Sequence, residues 1–284
     1  MDWTKAKTIL IIAFILTNAF LFYNLERENG FSETIPPASE KRIADVEEIL
    51  ESRGIFLEGK IPMETPVVAS LEVGYLKVDG EEAAKKILGR YTFSDDAYVK
   101  GKEKLMVVEG KRVIYENGNI INGAARDHES AQDLVQEFFS AKGYSLEDAK
   151  LQGFIKKDGL LEMTYVQLEK GLPLENGRMK IMVSEEGVAA FDRIWMEVLS
   201  QGESARKVIP ASKALLMAVE SLEESGGKEI SKIDLTYLFD TKKTSLSKWR
   251  DIKSGTALPV WKIDLSDREI SIYVDAYEGI VISN

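Results

Sequence analysis

The sequence predicts an α+β protein: an N-terminal transmembrane helix, then extracytoplasmic units in which a helix packs on an antiparallel sheet. Three observations carry this. An uncharged apolar run from Thr8 to Leu25 follows Lys5 and Lys7 and precedes Glu26, Arg27 and Glu28. Amphipathic helical stripes recur at Glu40–Arg53, Ser130–Lys142 and Ala211–Ser221. Between and after them lie β-rich segments punctuated by Asn-Gly, Asp-Gly and Glu-Gly pairs. A helix followed by a meander buries its apolar stripe on one face of a twisted antiparallel sheet.

Residues 1–28 read as a cytoplasmic tip and a transmembrane helix. At about 1.5 Å per residue, the run Thr8–Leu25 covers about 27 Å, close to the hydrocarbon thickness of a bilayer. The lysines before it keep the N-terminus in the cytoplasm and export the rest. Trp3 at one end, and Phe20, Phe22 and Tyr23 at the other, suit the headgroup layers. A cleaved signal peptide is the competing reading, because Thr17-Asn18-Ala19 offers small residues to a peptidase. The apolar run continues past that point through Tyr23, which favours a retained anchor. Ala6, Ala13 and Thr17 share one helix face, and Ala13 with Thr17 forms a small-xxx-small pair that permits close helix approach. Asn18 is placed to hydrogen-bond across such a contact, worth about 1 kcal/mol or less in a bilayer.

Residues 29–39 form a polar linker stiffened by Pro36 and Pro37. An N-terminal α+β domain is expected over residues 40–123. It opens with the helix Glu40–Arg53, whose Ile43, Val46, Ile49 and Leu50 make the apolar stripe, closed by Gly54. Strands Val67–Ala69 and Leu71–Val78 and a helix Glu81–Leu88 follow. Asn117-Gly118 is the favoured pair for a two-residue hairpin inside Arg112–Ile121, because both positions need positive φ.

A C-terminal α+β domain of two helix-plus-meander units is expected over residues 124–284. In Ser130–Lys142, Ser130 with Asp133 resembles a capping box, Ala131, Leu134, Val135 and Phe138 make the apolar face, and Gly143 is the C-cap. Asp158-Gly159, Asn176-Gly177 and Glu186-Gly187 read as tight turns, the last before a strand Val188–Leu199. The polar stretch Gln201–Arg206 reads as a connection to the helix Ala211–Ser221, which Gly226-Gly227 stops. Strands Lys232–Phe239, Leu258–Asp264, Glu269–Asp275 and Ile280–Ser283 complete the chain, the last after a turn at Glu278-Gly279. The repeated helix-then-meander order resembles the PepSY and cystatin-like modules that bacteria use outside the membrane as regulators and inhibitors.

Composition narrows the chemistry. Residues 1–25 hold two of the 37 basic and one of the 47 acidic residues, so the remainder has a formal charge of −11. Such an acidic body argues against nucleic acid and against docking on anionic lipid or teichoic acid polymers. With no cysteine there is neither a disulfide nor a thiolate site, a usage that suits a Gram-positive surface. One histidine cannot build the common zinc sites. His128 would have to serve in any Ser-His-Asp arrangement, but it sits in a helical first turn where a solvated side chain is the expectation. No phosphate loop, dinucleotide fingerprint or metal-binding repeat appears, so no cofactor and no metal are expected. Paired carboxylates of a glycosidase remain open, since spacing in sequence does not place such a pair. Trp249, among Lys242, Lys243 and Lys248, reads as a surface loop around one buried indole, with a contact loop as the alternative.

The opening Met1-Asp2-Trp3 with Lys5 and Lys7, the uncharged run carrying Asn18 before Phe20-Leu21, and the near-terminal Tyr273–Gly279 segment before a last strand resemble the YycI family. Its members are single-pass regulators of the YycG (WalK) sensor histidine kinase, which governs cell-wall metabolism in low-GC Gram-positive bacteria. The resemblance implies partnership with that kinase and with the companion YycH, made partly through transmembrane helices, and it carries no catalytic residues over. Ala6, Ala13, Thr17 and Asn18 are then the expected partner-binding face. An anchored inhibitor or chaperone, using an exposed sheet edge or hairpin tip, is the second reading, and a carboxylate-only wall hydrolase is the third.

Overall fold

A computed structural model describes residues 40–120, 127–225, 229–239, 254–266 and 270–282, together with Lys7, Phe14, Thr17 and Asn18, which are helical and exposed. Most of Thr8–Leu25 lies outside the described residues, as do the linker, Gly226-Gly227 and the Trp249 segment. Among the described residues no helix is long and apolar enough to cross a membrane.

The chain opens its folded body with helix α1 (Glu40–Ser52). Val46 and Leu50 are buried and Ile43 packs against them, whereas Ile49 points outward. Gly54, at φ 72°, ends the helix by donating to Glu51 O, as its position after the stripe predicts. Strand β1 (Phe56–Leu57) and the long β2 (Val67–Tyr75) follow. The two strands expected on either side of Ser70 are thus one. Helix α2 (Gly80–Ile87) is capped by Asp79, whose carboxylate accepts from Glu82 N at 2.9 Å. A four-strand meander comes next: β3 (Thr92–Ser94), β4 (Ala97–Lys100), β5 (Glu103–Val108) and β6 (Arg112–Asn117).

The expected hairpin at Asn117-Gly118 is not formed. Strand β6 pairs backwards with β5 through a turn at Glu109 and Gly110, both at positive φ (55° and 62°), and Asn117-Gly118 merely ends the strand. Glutamate in a left-handed position has no sequence signal, whereas Asn-Gly has a strong one that the pairing overrides. Helix α3 (His128–Ala141) begins two residues earlier than expected. Its N-cap is Asp127, not Ser130, and the carboxylate accepts from both Ser130 N and Ser130 Oγ. Those bonds, first the backbone one, hold Asp127 below the usual carboxylate range.

Strands β7 (Ala149–Lys157), β8 (Leu160–Glu169), β9 (Leu172–Ser184) and β10 (Gly187–Ile194) form the second meander. Asp158-Gly159 turns β7 into β8 as expected, with φ of 51° and 79°. Asn176-Gly177, in contrast, lies inside β9. There Arg178 faces Val166 and Leu174 faces Gln167, so residues 175–177 bulge out of the ladder. The turn that leads into β9 is Lys170-Gly171, again both at positive φ. The strand expected over Val188–Leu199 is broken at Trp195, and the polar stretch Gln201–Arg206 belongs to strand β11 (Met196–Lys207) rather than to a connection. Helix α4 (Ala211–Ser225), then β12 (Glu229–Phe239), β13 (Ser254–Leu265), β14 (Ile270–Asp275) and β15 (Val281–Ile282), complete the third helix-then-meander unit. Gly279, at φ 73°, makes the last turn.

Among the described residues fifteen strands are hydrogen-bonded into one sheet, whose main path runs β11-β2-β13-β12-β9-β10-β6-β5-β4-β3. Two apolar cores lie against it. One gathers α1 and α4 over β2, β12, β13 and β14, around Leu71, Tyr237, Trp261 and Val274. The other gathers α2 and α3 over β5, β6, β8, β9 and β10, around Tyr115, Met163, Ile181 and Phe191. The expected boundary near Gly123 falls in 121–126, outside the described residues. On either side of it the chain is interleaved: β2 lies between β11 and β13, and β6 pairs with β10.

Candidate functional site

Strands such as β6, β9 and β10 bury alternate side chains under the helices, and the positions between them build the opposite face. Where the two halves of the sheet meet, at β9 and β12, this second face is polar. Glu175 is at its centre, with its side chain only 1% exposed. Its Oε2 accepts from Arg178 Nη2 at 2.8 Å and from Tyr273 Oη at 3.3 Å, and lies 3.3 Å from Lys262 Nζ. Thr236 Oγ1 donates to Pro173 O and lies 3.3 Å from Glu175 Oε1. Lys262, also buried, spans from Glu175 to Asp264 Oδ1 at 3.4 Å. Burial first, and the Glu175 charge second, push the Tyr273 hydroxyl up to about 12.

The bulge in β9 is what turns Glu175 and Asn176 toward the seam. Asn176 uses its amide as a substitute peptide: Oδ1 accepts from Phe239 N at 2.8 Å and Nδ2 donates to Phe239 O at 3.0 Å. Gln167 does the same with Met196, donating to its carbonyl at 2.9 Å and accepting from its N–H at 2.8 Å. Two side-chain amides thus continue the backbone ladder where, among the described residues, β9 and β12 pair through one parallel bridge, Tyr237 with Leu174.

Beside this buried network opens a groove of about 620 Å³. Arg112 on β6, Arg178 and Lys180 on β9, and Asp192 on β10 form one side, while Leu238, Ile270 and Tyr273 form the other. Arg112 donates through Nε to Asp192 Oδ1 at 2.7 Å and through Nη2 to the other carboxylate oxygen. That bond holds the guanidinium above its ordinary value. Lys180 Nζ lies 3.2 Å from Glu162 Oε1. The cations reach solvent, with side chains 40–61% exposed, while Glu175 and Glu162 beneath them are at 1% and 12%. Through Oε2 alone, Glu175 gathers Arg178, Tyr273 and Lys262 and holds them in place.

Of the residues expected to bind partners, Thr17 and Asn18 are helical and exposed, and Asn18 Nδ2 donates to Phe14 O within the same helix at 3.0 Å. Ala6 and Ala13 lie outside the described residues. His128 is exposed in the first turn of α3 and stacks on Phe154, with centroids 4.9 Å apart. The groove residues had no sequence signal beyond charges alternating with apolar positions, a pattern common to any solvated sheet face.

A comparison with curated proteins gives no match. In fold the chain is similar to an uncharacterized protein from Eubacterium rectale, known from a crystal structure, with a TM-score of 0.54 at 12% identity over 81% of this chain and 90% of that one. The YpeB C-terminal domain of Bacillus megaterium aligns at 12% identity over 87% of this chain and 96% of that one, but its TM-score of 0.40 is too low to argue from. The profile of the YycI family, described as YycI protein, matches residues 35–277. With a match over most of its folded body, this chain belongs to the YycI family.

Proposed function

We propose that the chain is a non-enzymatic, single-pass membrane regulator of the YycG (WalK) sensor histidine kinase. It works with a YycH-like companion, its N-terminus in the cytoplasm and its α+β body outside. The single observation that carries this reading is the family match across residues 35–277. The uncharged run Thr8–Leu25, with Lys5 and Lys7 before it, supports the anchor and its orientation. Ala6, Ala13, Thr17 and Asn18 form the face through which the helix packs on its partners, and the PepSY-like body adds contacts outside. A regulator of this kind biases a bistable kinase by binding one of its states better than the other.

The test is crosslinking and affinity capture of the full-length protein from native membranes, beside a version whose Thr8–Leu25 segment is replaced by an unrelated span. Capture of the kinase and the companion that disappears with the swapped helix, and weakens in Ala13→Leu and Thr17→Leu, is the expected outcome. Capture that survives the swap moves the contact to the body, and no kinase in either sample overturns the proposal.

A second reading, an anchored inhibitor or chaperone, is favoured by one feature. Strand β7 pairs only with β8 among the described residues, and it exposes Phe154 and Ile155 at 48% and 58%. An open apolar edge of this kind accepts an added strand. Inhibition of a surface peptidase by the purified protein, with no kinase captured, would select it.

A further inference from the structure

We infer that the groove at the seam of the sheet is a receptor for an extended acidic peptide segment, one that alternates carboxylates with apolar side chains. The cations at its rim are already aimed. Arg112 is held by both oxygens of Asp192, and Arg178 by the backbone carbonyl of Glu175 at 2.6 Å and by its buried carboxylate at 2.8 Å. In each guanidinium the second terminal nitrogen, Nη1, has no partner among the described residues, so a ligand carboxylate meets a donor that costs little ordering to engage. Glu175 and Glu162, at 1% and 12% exposed, lie beneath Arg178 and Lys180 at 50% and 61%, whereas Asp192, at 36%, reaches the rim engaged by Arg112. Arg178 and Lys180 are therefore the most exposed charges of the groove, on a chain whose net charge is −10.

Spacing selects the ligand class. Arg178 and Lys180 are two residues apart on β9, which places their Cα atoms about 7 Å apart on the same face. Ile194 on β10 faces Arg178 on one side and Arg112 on the other, so the two arginines are two strands, or about 9.5 Å, apart. One compact anion does not bridge such distances, whereas carboxylates two residues apart on an extended chain repeat every 7 Å or so. Leu238 and the exposed Ile270 supply the apolar wall for the residues between.

This deepens the regulatory reading and rests on it for the identity of the partner, but the binding itself is measured without any kinase. The full-length protein in detergent is titrated into a fluorescent, capped peptide alternating Glu and Leu, with anisotropy as the readout. A Gln-Leu peptide and the small dicarboxylate glutarate are the comparisons. The expected result is binding that weakens with salt, at least tenfold weaker for the Gln-Leu peptide, and at least tenfold weaker in Arg112→Gln/Lys180→Gln. Lys180→Gln alone, at a half-exposed side chain, keeps the test available if the double variant does not fold. Equal binding of the Gln-Leu peptide, unchanged affinity in folded variants, or displacement by glutarate as effective as by unlabelled peptide overturns the inference. Failure here leaves kinase capture untouched, and failure of kinase capture leaves peptide binding to be read on its own.

Discussion

Glu175 and Lys262 show how a charged pair survives inside a sheet. A buried ion pair stabilises only when its remaining donors and acceptors are met, and removing one partner strands the other at a cost of about 3–5 kcal/mol. Here Arg178, Tyr273 and Asp264 complete the set. The network also fixes a pH response. Tyr273 faces Glu175, Arg178 and Asp264, and its hydroxyl stays protonated to about pH 12 in the folded chain against about 10 when unfolded. A folded-state value above the unfolded one means the contribution is complete below about pH 10 and is lost as pH rises toward about 12. Tyr237, pushed up to about 12 mainly by burial, acts in the same direction. Tyr273→Phe should therefore flatten the fall in stability across that window in denaturant titrations at stepped pH. An unchanged slope would remove Tyr273 from the account.

The decisive element is β9. Its bulge at residues 175–177 reverses which residues face the core, so Leu174 is buried in one core while Met179 and Ile181 are buried in the other. Gly177 makes the bulge possible for reasons of space rather than φ. A Cβ there would sit 2.2 Å from Gln167 Oε1 and 2.6 Å from Gln167 Cβ. Gly177→Ala should expel the Gln167 amide and leave both polar groups of Met196 unpaired in the interior, at a cost of roughly 2–4 kcal/mol. The check is a shift in denaturant midpoint with an unchanged m-value, alongside Gly153→Ala, where a Cβ meets open space. The element scale also explains the misread turns. Asn117-Gly118 and Asn176-Gly177 carry a local turn preference worth little against a completed ladder, while Glu109-Gly110 and Lys170-Gly171 make the turns because the strands they join require it.

Across the whole molecule, the chain returns to its beginning. Strands β12, β13 and β14 come from the last of the helix-then-meander units, yet they share a core with α1 and β2. Tyr237 Oη donates to Ala69 O at 3.1 Å and Tyr277 Oη to Val68 O at 2.7 Å, tying the C-terminal unit to β2 across the sequence. Residues 40–123 and 124–284 expressed as separate pieces are therefore expected to lack cooperative thermal transitions and to bind an apolar dye, because each exposes surface the other covers. A sharp transition from 124–284 alone would show that α1 and β2 are dispensable to that core.

The sequence by itself determined the helices, most of the strands after residue 228, and the turns at Asp158-Gly159 and Gly279, because each rests on local periodicity or on one backbone angle. It also carried a resemblance to the family, which the match over residues 35–277 bears out. The tertiary structure alone decided the seam. Arg112, Glu175, Asp192, Lys262 and Tyr273 come from five strands, and none of them carries a signal within its own strand that it meets the others. They become a site only where a bulge brings two half-sheets together, since long-range strand order leaves no periodic trace in any one segment.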